Sequence, residues 1–326
     1  MRSFAYQRAS DVAAAAAVGG TFLAGGTTLL DLMKLDVMRP QQVVDINDLD
    51  RAHGAIEFGP QGVRLGALVR MADAAAHPAL RRDYPVIAQS LELAASAQIR
   101  NMASLGGNVL QRTRCSYFRD VSWTTCNKRN PGSGCAALQG VNRKHAVLGT
   151  SPNCIATYPG DFAQALIALD ATVELAGPGG VRHLPFAELH VAPSNDPSIE
   201  TVLKQGELIT AFVISALPYA RRSLYLKVRD RQSYEFALAS AAVALDLDGR
   251  TVRDARIALG GLATKPWRAR EAEDALKGRT LDEPSAYAAA EAAFAGAVTH
   301  GENSFKPELG RRTLVRAVLQ TAAMEI

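Results

Sequence analysis

The chain has 326 residues, 48% hydrophobic and 21% charged, with a formal net charge of +4. That length suits two or three domains, each able to bury its own core. Basic residues are dispersed, apart from short pairs such as Arg81-Arg82 and Arg221-Arg222, which argues against a nucleic-acid surface, and no segment reaches the roughly 20 apolar residues of a membrane span.

Arg2 and Arg8 precede AAAAAVGGTFLAGG, a stretch with some likeness to an export signal, but Asp11 interrupts the apolar run. The segment reads instead as a strand over Phe4 to Arg8 and an Ala-rich helix over Asp11 to Val18, capped by Ser10. The expectation is a chain without an export signal of its own. TFLAGGTT and QQVVDI read as further strands, with a helical turn over LLDLMKLDV between them. Together these make an α/β unit over about residues 1–55.

A second unit opens with AIEFGPQGVRLGALV, two strands around a Gly-Pro-x-Gly turn. Apolar residues at Val86, Ile87, Leu91, Leu93, Ala94 and Ile99 predict one long helix from about Tyr84 to Met102. Asp161 opens another helix, ahead of the strand TVELAG and the turn Gly177 to Gly180. A polar break near Pro218 to Arg222 marks a boundary, giving domains over 1–220 and 221–326. Beyond it, strands alternate around the Asp248-Gly249 turn and the last 55 residues are Ala-rich and helical.

Two segments suit a phosphate-bearing ligand. Leu23-Ala24-Gly25-Gly26-Thr27-Thr28-Leu29-Leu30 places two glycines and two hydroxyls between a strand and a helix. Glycines let backbone N–H groups approach a diphosphate without Cβ interference, and the helix start adds partial positive charge. As a bare pattern this is also an ordinary strand-to-helix turn, since neither GxGxxG nor GxxxxGK[ST] is matched. Asn101 to Asn108 repeats the small, polar, Gly-rich composition; alone it reads equally as a helix C-cap and turn.

The only four cysteines, Cys115, Cys126, Cys135 and Cys154, fall within a Gly-, Pro-, Asn- and Ser-rich stretch over about 112–156. That stretch has no sustained periodicity, so something other than a core must order it. Four thiolates around an iron-sulfur cubane would do so. Two disulfides would require an oxidising compartment, and structural zinc usually shows a short Cys-x(2 to 4)-Cys knuckle, which is absent. Arg112, Arg114, Lys128 and Arg129 would offset the charge of an anionic cluster. The six histidines show no metal spacing and read as surface or loop residues; no catalytic acid, base or nucleophile is assigned.

Taken together, the AGGT-x-LL loop from Ala24 to Leu30 and the later Gly106-Gly107-Asn108 resemble the flavin-binding subunits of the molybdenum hydroxylases, the xanthine dehydrogenase and CO dehydrogenase medium-subunit family. QRTRC, CNKRNPGSGCAAL and KVRDRQSYEFAL look like the FAD and [4Fe-4S] subunit of bacterial periplasmic aldehyde oxidoreductases. The flavin subunit of 4-hydroxybenzoyl-CoA reductase, which also has a cluster loop, is the nearest competitor. The residues also leave open a stand-alone vanillyl-alcohol-type flavin oxidase and a non-enzymatic cluster-bearing scaffold.

The resemblance implies an α+β chain: a two-part FAD-binding domain of the vanillyl-alcohol-oxidase-like type, with subdomains about 1–55 and 56–220, then an α+β C-terminal domain with a small antiparallel sheet and helices. It implies FAD contacts from Leu23, Ala24, Gly25, Gly26, Thr27, Thr28 and Leu29, and from Ser104, Leu105, Gly107 and Asn108. Asp161, otherwise read as a helix cap, and Lys227, otherwise a solvated strand lysine, carry over as positions near the flavin. The four cysteines carry over as [4Fe-4S] ligands. Implied partners are a large molybdenum-cofactor subunit, a small [2Fe-2S] subunit and an external electron acceptor, with export to the periplasm on a signal-bearing partner.

Overall fold

The computed structural model describes residues 1–326. Three sheets organise the chain. In the first, the strands Ala5–Arg8, Gln42–Asp45 and Thr21–Leu23 lie side by side in that order, all parallel. Parallel neighbours need crossovers, and the helices Val12–Val18 and Leu29–Lys34 supply them. The first helix is capped by Asp11 and not by Ser10: Asp11 Oδ1 accepts from the Ala14 N–H at 2.8 Å, while the Ser10 hydroxyl donates to the Asp11 carboxylate. A carboxylate is the stronger acceptor for an orphan amide.

The second sheet is antiparallel, in the order Ile56–Gly59, Gly62–Gly66, Leu208–Ser215, Thr172–Gly177, Gly180–Pro185. Its central strand Leu208–Ser215 is buried at almost every position, so it lacks the alternation that announces a half-buried strand. Helices Met71–Ala76, Pro85–Glu92 and Phe162–Ala168 pack with it into the largest core, around Leu65, Ile87, Leu91, Phe162 and Phe212. Burying one such side chain contributes about 1.5–3 kcal/mol.

The single helix predicted from Tyr84 to Met102 is two, Pro85–Glu92 and Ala97–Met102. The break comes where Ala95 takes φ +48° and Ser96 caps the second helix by accepting from the Ile99 N–H. Local capping outweighs a continuous apolar stripe there. Similarly, the second Gly-rich segment is no simple loop: Leu105–Val109 is helical, and Ser104 caps it by accepting from the Gly107 N–H at 3.2 Å.

The third sheet, Trp267–Arg268, Thr251–Gly260, Ala239–Asp248, Ser223–Val228, is antiparallel and backed by the helices Arg270–Leu276, Glu283–Phe294 and Lys306–Ala322. Strand Ala239–Asp248 buries both faces. Ala241, Val243 and Leu245 point to those helices, while Ala242 and Ala244 join the core of the second sheet, as the two-residue period of a strand requires. The C-terminal sheet is therefore wedged between two cores. No helix is long and apolar enough to cross a membrane.

Candidate functional site

The strand Thr21–Leu23 ends in the turn Ala24 to Thr28. Gly26 sits at φ +72°, the left-handed region open to glycine. Gly25 packs so tightly on the neighbouring segment that a Cβ there would lie 1.9 Å from the Met102 carbonyl oxygen. No main-chain carbonyl accepts from the amides of Gly25, Gly26, Thr27 or Thr28, and Thr28 precedes its helix without a side-chain cap bond. Four free amides and two free hydroxyls thus line one turn. The helix that follows has six residues, so the amides, more than a macrodipole, make this an anion cradle.

The turn separates two connected clefts that share Thr27 and Thr28. One, of about 310 Å³, runs along Ala24 to Leu29, Ser104 and Gly107. The other, of about 450 Å³, continues past Asn108 to Asp161 and is closed by Tyr234, Glu235 and Phe236 from the C-terminal domain. Of the residues assigned to FAD, Ala24, Gly25, Gly26, Thr27, Thr28, Leu29, Ser104, Gly107, Asn108 and Asp161 line these clefts. Leu23, Leu105 and Lys227 do not: Leu23 packs on Leu29, Met33 and Val43, and Leu105 is in the main core.

Lys227 acts at one remove. Its Nζ donates to Asp161 Oδ2 at 2.7 Å and to the Leu93 carbonyl at 3.0 Å, with a side chain only 1% exposed. Tyr225 donates to Asp161 Oδ1 at 2.6 Å, and burial, then the Asp161 charge, pushes its hydroxyl pKa well above normal. Asp161 does not cap the helix behind it, because both oxygens are committed to the C-terminal sheet.

Several cleft residues carry no sign of it in the sequence. Arg114, expected to balance cluster charge, turns the other way: it pairs with Asp31 at 3.0 Å and lies 4.9 Å from the Phe236 ring centroid. Arg119 meets the same carboxylate at 2.9 Å. Burial would raise the Asp31 pKa, but Arg119 and then Arg114 outweigh it and hold the carboxyl below its usual range. Two buried polar atoms here have no partner, the donor Arg114 Nε and the acceptor Asn108 Oδ1. Orphaned groups of opposite kind in one cleft fit a ligand that both accepts and donates.

Cys115, Cys126, Cys135 and Cys154 all border one small cavity, together with Tyr117, Phe118, Asn127 and Asn153. None is disulfide-bonded. No group of three or more His, Cys, Asp or Glu side chains is arranged to hold a metal ion. Burial pushes the Cys115 thiol up to about 12 and the Cys154 thiol up to about 11, the latter against the pull of Lys128. The other cations are not free solvated charges. Lys128 and Arg112 pair with Glu200 at 2.6 and 2.8 Å, and Arg129 donates to the carbonyls of Tyr117 and Phe118.

Two histidines correct the surface reading. His190 is buried against the Val109 carbonyl, and His145 is buried with Nε2 3.2 Å from Cys115 Sγ.

The Gly-turn cradle thus opens onto a cleft closed by the loop between the strands Ser223–Val228 and Ala239–Asp248. Residues 2–216 match the family described as the FAD binding domain in molybdopterin dehydrogenase, and residues 224–325 match the CO dehydrogenase flavoprotein C-terminal domain. The chain is 45% identical, over 99% of both lengths, to the aldehyde oxidoreductase FAD-binding subunit PaoB of Escherichia coli K12. It is 28% identical to the carbon monoxide dehydrogenase medium chain of Afipia carboxidovorans, over 99% of this chain and 96% of that one. Among solved structures, the Cu,Mo-CO dehydrogenase in its cyanide-inactivated form superposes with a TM-score of 0.76 at 26% identity, covering 99% of this chain and 98% of that one. The chain belongs to the FAD-binding medium-subunit family of the molybdenum hydroxylases, and it is an oxidoreductase subunit with that family's fold.

Proposed function

We propose that this chain is the FAD- and [4Fe-4S]-carrying subunit of a heterotrimeric molybdenum-dependent aldehyde oxidoreductase. Substrate oxidation takes place on a large molybdenum-cofactor subunit, and electrons reach this subunit through the [2Fe-2S] clusters of a small one. The observation that carries the reading is the run of four unpaired amides from Gly25 to Thr28 beside the orphaned Asn108 Oδ1. Identity of 45% to an aldehyde oxidoreductase subunit supports the substrate class.

In this reading the amides of Gly25 to Thr28 and the hydroxyls of Thr27 and Thr28 hold the diphosphate. Ser104 and Gly107 form the opposite wall, and Asn108 accepts from a donor of the cofactor. Leu23 and Leu105 set the shape from beneath, and Lys227 fixes Asp161. Bound FAD supplies the conversion between the one-electron traffic of iron-sulfur centres and a two-electron external acceptor. The FAD-binding domain spans 1–220 and the C-terminal domain 221–326. The four cysteines around one cavity favour a [4Fe-4S] cluster, and inserting it must displace the protons that burial holds on Cys115 and Cys154. Export proceeds as a folded passenger of a signal-bearing partner, which cell fractionation with and without that partner tests.

The deciding experiment purifies the complex and measures flavin and iron per chain, visible and EPR spectra, and turnover of benzaldehyde against 4-hydroxybenzoyl-CoA. One flavin, four irons on this chain and aldehyde turnover are expected. Turnover of the thioester alone would move the protein to the other branch of the family, and protein without flavin would end the reading.

A further inference from the structure

We propose that His145 is a positioning residue for the sulfur centre, donating its Nε2–H to the Cys115 thiolate and so setting the potential of the cluster. The proposal rests on the reading that the four cysteines hold [4Fe-4S].

His145 lies between Cys135 and Cys154 in sequence, and its Nε2 stands 3.2 Å from Cys115 Sγ. The residue is 6% exposed. Its Nδ1 is buried without a partner, so the sulfur is the ring's one polar contact. A ligated thiolate is an acceptor only, which places the proton on Nε2.

The backbone around the ring has little freedom. The His145 N–H donates to the Asn142 carbonyl at 2.9 Å and the Ala146 N–H to the Ile155 carbonyl at 2.9 Å. From the C-terminal domain, Lys306 Nζ donates to the carbonyls of Lys144, His145 and Gly261 at 3.1, 3.0 and 2.6 Å. Asn303 Nδ2 donates to the Ala146 carbonyl at 3.1 Å. Three consecutive peptides are thus gripped from outside the cysteine loop, and the imidazole is aimed at the sulfur by groups that do not touch it.

A hydrogen bond to a ligand sulfur withdraws charge and favours the reduced cluster, which carries one more negative charge. Removing the donor therefore lowers the midpoint potential.

The test is an EPR-monitored potentiometric titration of the purified complex carrying His145→Phe or His145→Gln, with iron counted in each. The phenylalanine variant should keep its iron and titrate at a lower potential. The glutamine variant, which can place an amide N–H near the same point, should recover part of the shift. In the unmutated complex labelled with ¹⁵N-histidine, pulsed EPR of the reduced cluster should show a nitrogen coupling from one histidine. An unchanged midpoint with iron retained, or no such coupling, overturns the proposal. Should the phenylalanine variant lose its iron, the glutamine variant and the coupling decide in the same sense. Absence of iron from the unmutated chain would remove the cluster reading itself, a distinct result.

Discussion

Lys227 and Asp161 join the two halves of the chain: an ammonium from the C-terminal sheet meets, at 2.7 Å, a carboxylate at the end of the cofactor cleft. Both side chains are almost fully buried. Lys227→Met leaves Asp161 charged and uncompensated, at a cost of roughly 3–5 kcal/mol. The double variant with Asp161→Asn should recover much of that loss. Thermal unfolding of the four proteins gives the coupling, and flavin fluorescence on dilution shows whether the cleft loosens with it.

Gly25→Ala should empty the cleft. The new methyl would meet the Met102 carbonyl at 1.9 Å, an atom of the main chain that cannot swing aside. Gly26→Ala offers a graded comparison, since left-handed φ costs an alanine about 1–2 kcal/mol. The check is flavin per chain after gel filtration: near zero for the first, reduced for the second.

Glu200 makes stability depend on acid. Burial would raise its pKa from 4.5, but Lys128 and then Arg112 outweigh it and hold the carboxyl low. A depressed folded-state pKa means that the unfolded chain takes up the proton first. The pair's contribution is therefore complete above pH 4.5 and lost as pH falls through the folded value. Denaturant midpoints from pH 7 to 3 should fall more steeply for the unmutated chain than for Glu200→Gln.

Lys306→Met removes one ammonium from three carbonyls inside the protein. The Lys144 carbonyl keeps the Thr157 hydroxyl and the His145 carbonyl keeps Asn303, so the Gly261 carbonyl is the one left unpaired; a loss of about 1–3 kcal/mol is expected. Limited proteolysis should then cut within 139–157, while the unmutated chain is expected to resist cleavage there.

The alternating strands and helices of the first unit and the Gly25-Gly26 turn are legible in the sequence because glycine placement and short apolar runs are local signals, whereas the parallel pairing of those strands is set by tertiary contacts. Strand Leu208–Ser215 is not, because burial on both faces erases alternation. The Tyr84 to Met102 helix misleads for the opposite reason: its apolar stripe continues across the break at Ala95, where only Ser96 hints at a new start. The four cysteines stand out by composition and do share one cavity. Arg114 pairs away from them, since sequence adjacency to Cys115 says nothing about which side of the chain a side chain leaves. Asp31 comes from a distant segment and carries no local mark, whereas Tyr234 and Phe236 lie in the KVRDRQSYEFAL stretch that bears the resemblance, which does not show that they close the cleft.

The grip of Lys306 and Asn303 on residues 144–146 spans about 160 positions of sequence. A nascent chain therefore releases all its cysteines from the ribosome well before the residues that anchor their loop. During that interval the segment lacks the hydrogen bonds that Lys306 and Asn303 supply. Docking of the last helix then pins it, so this loop reaches its final conformation only after the C-terminal end of the chain has been made.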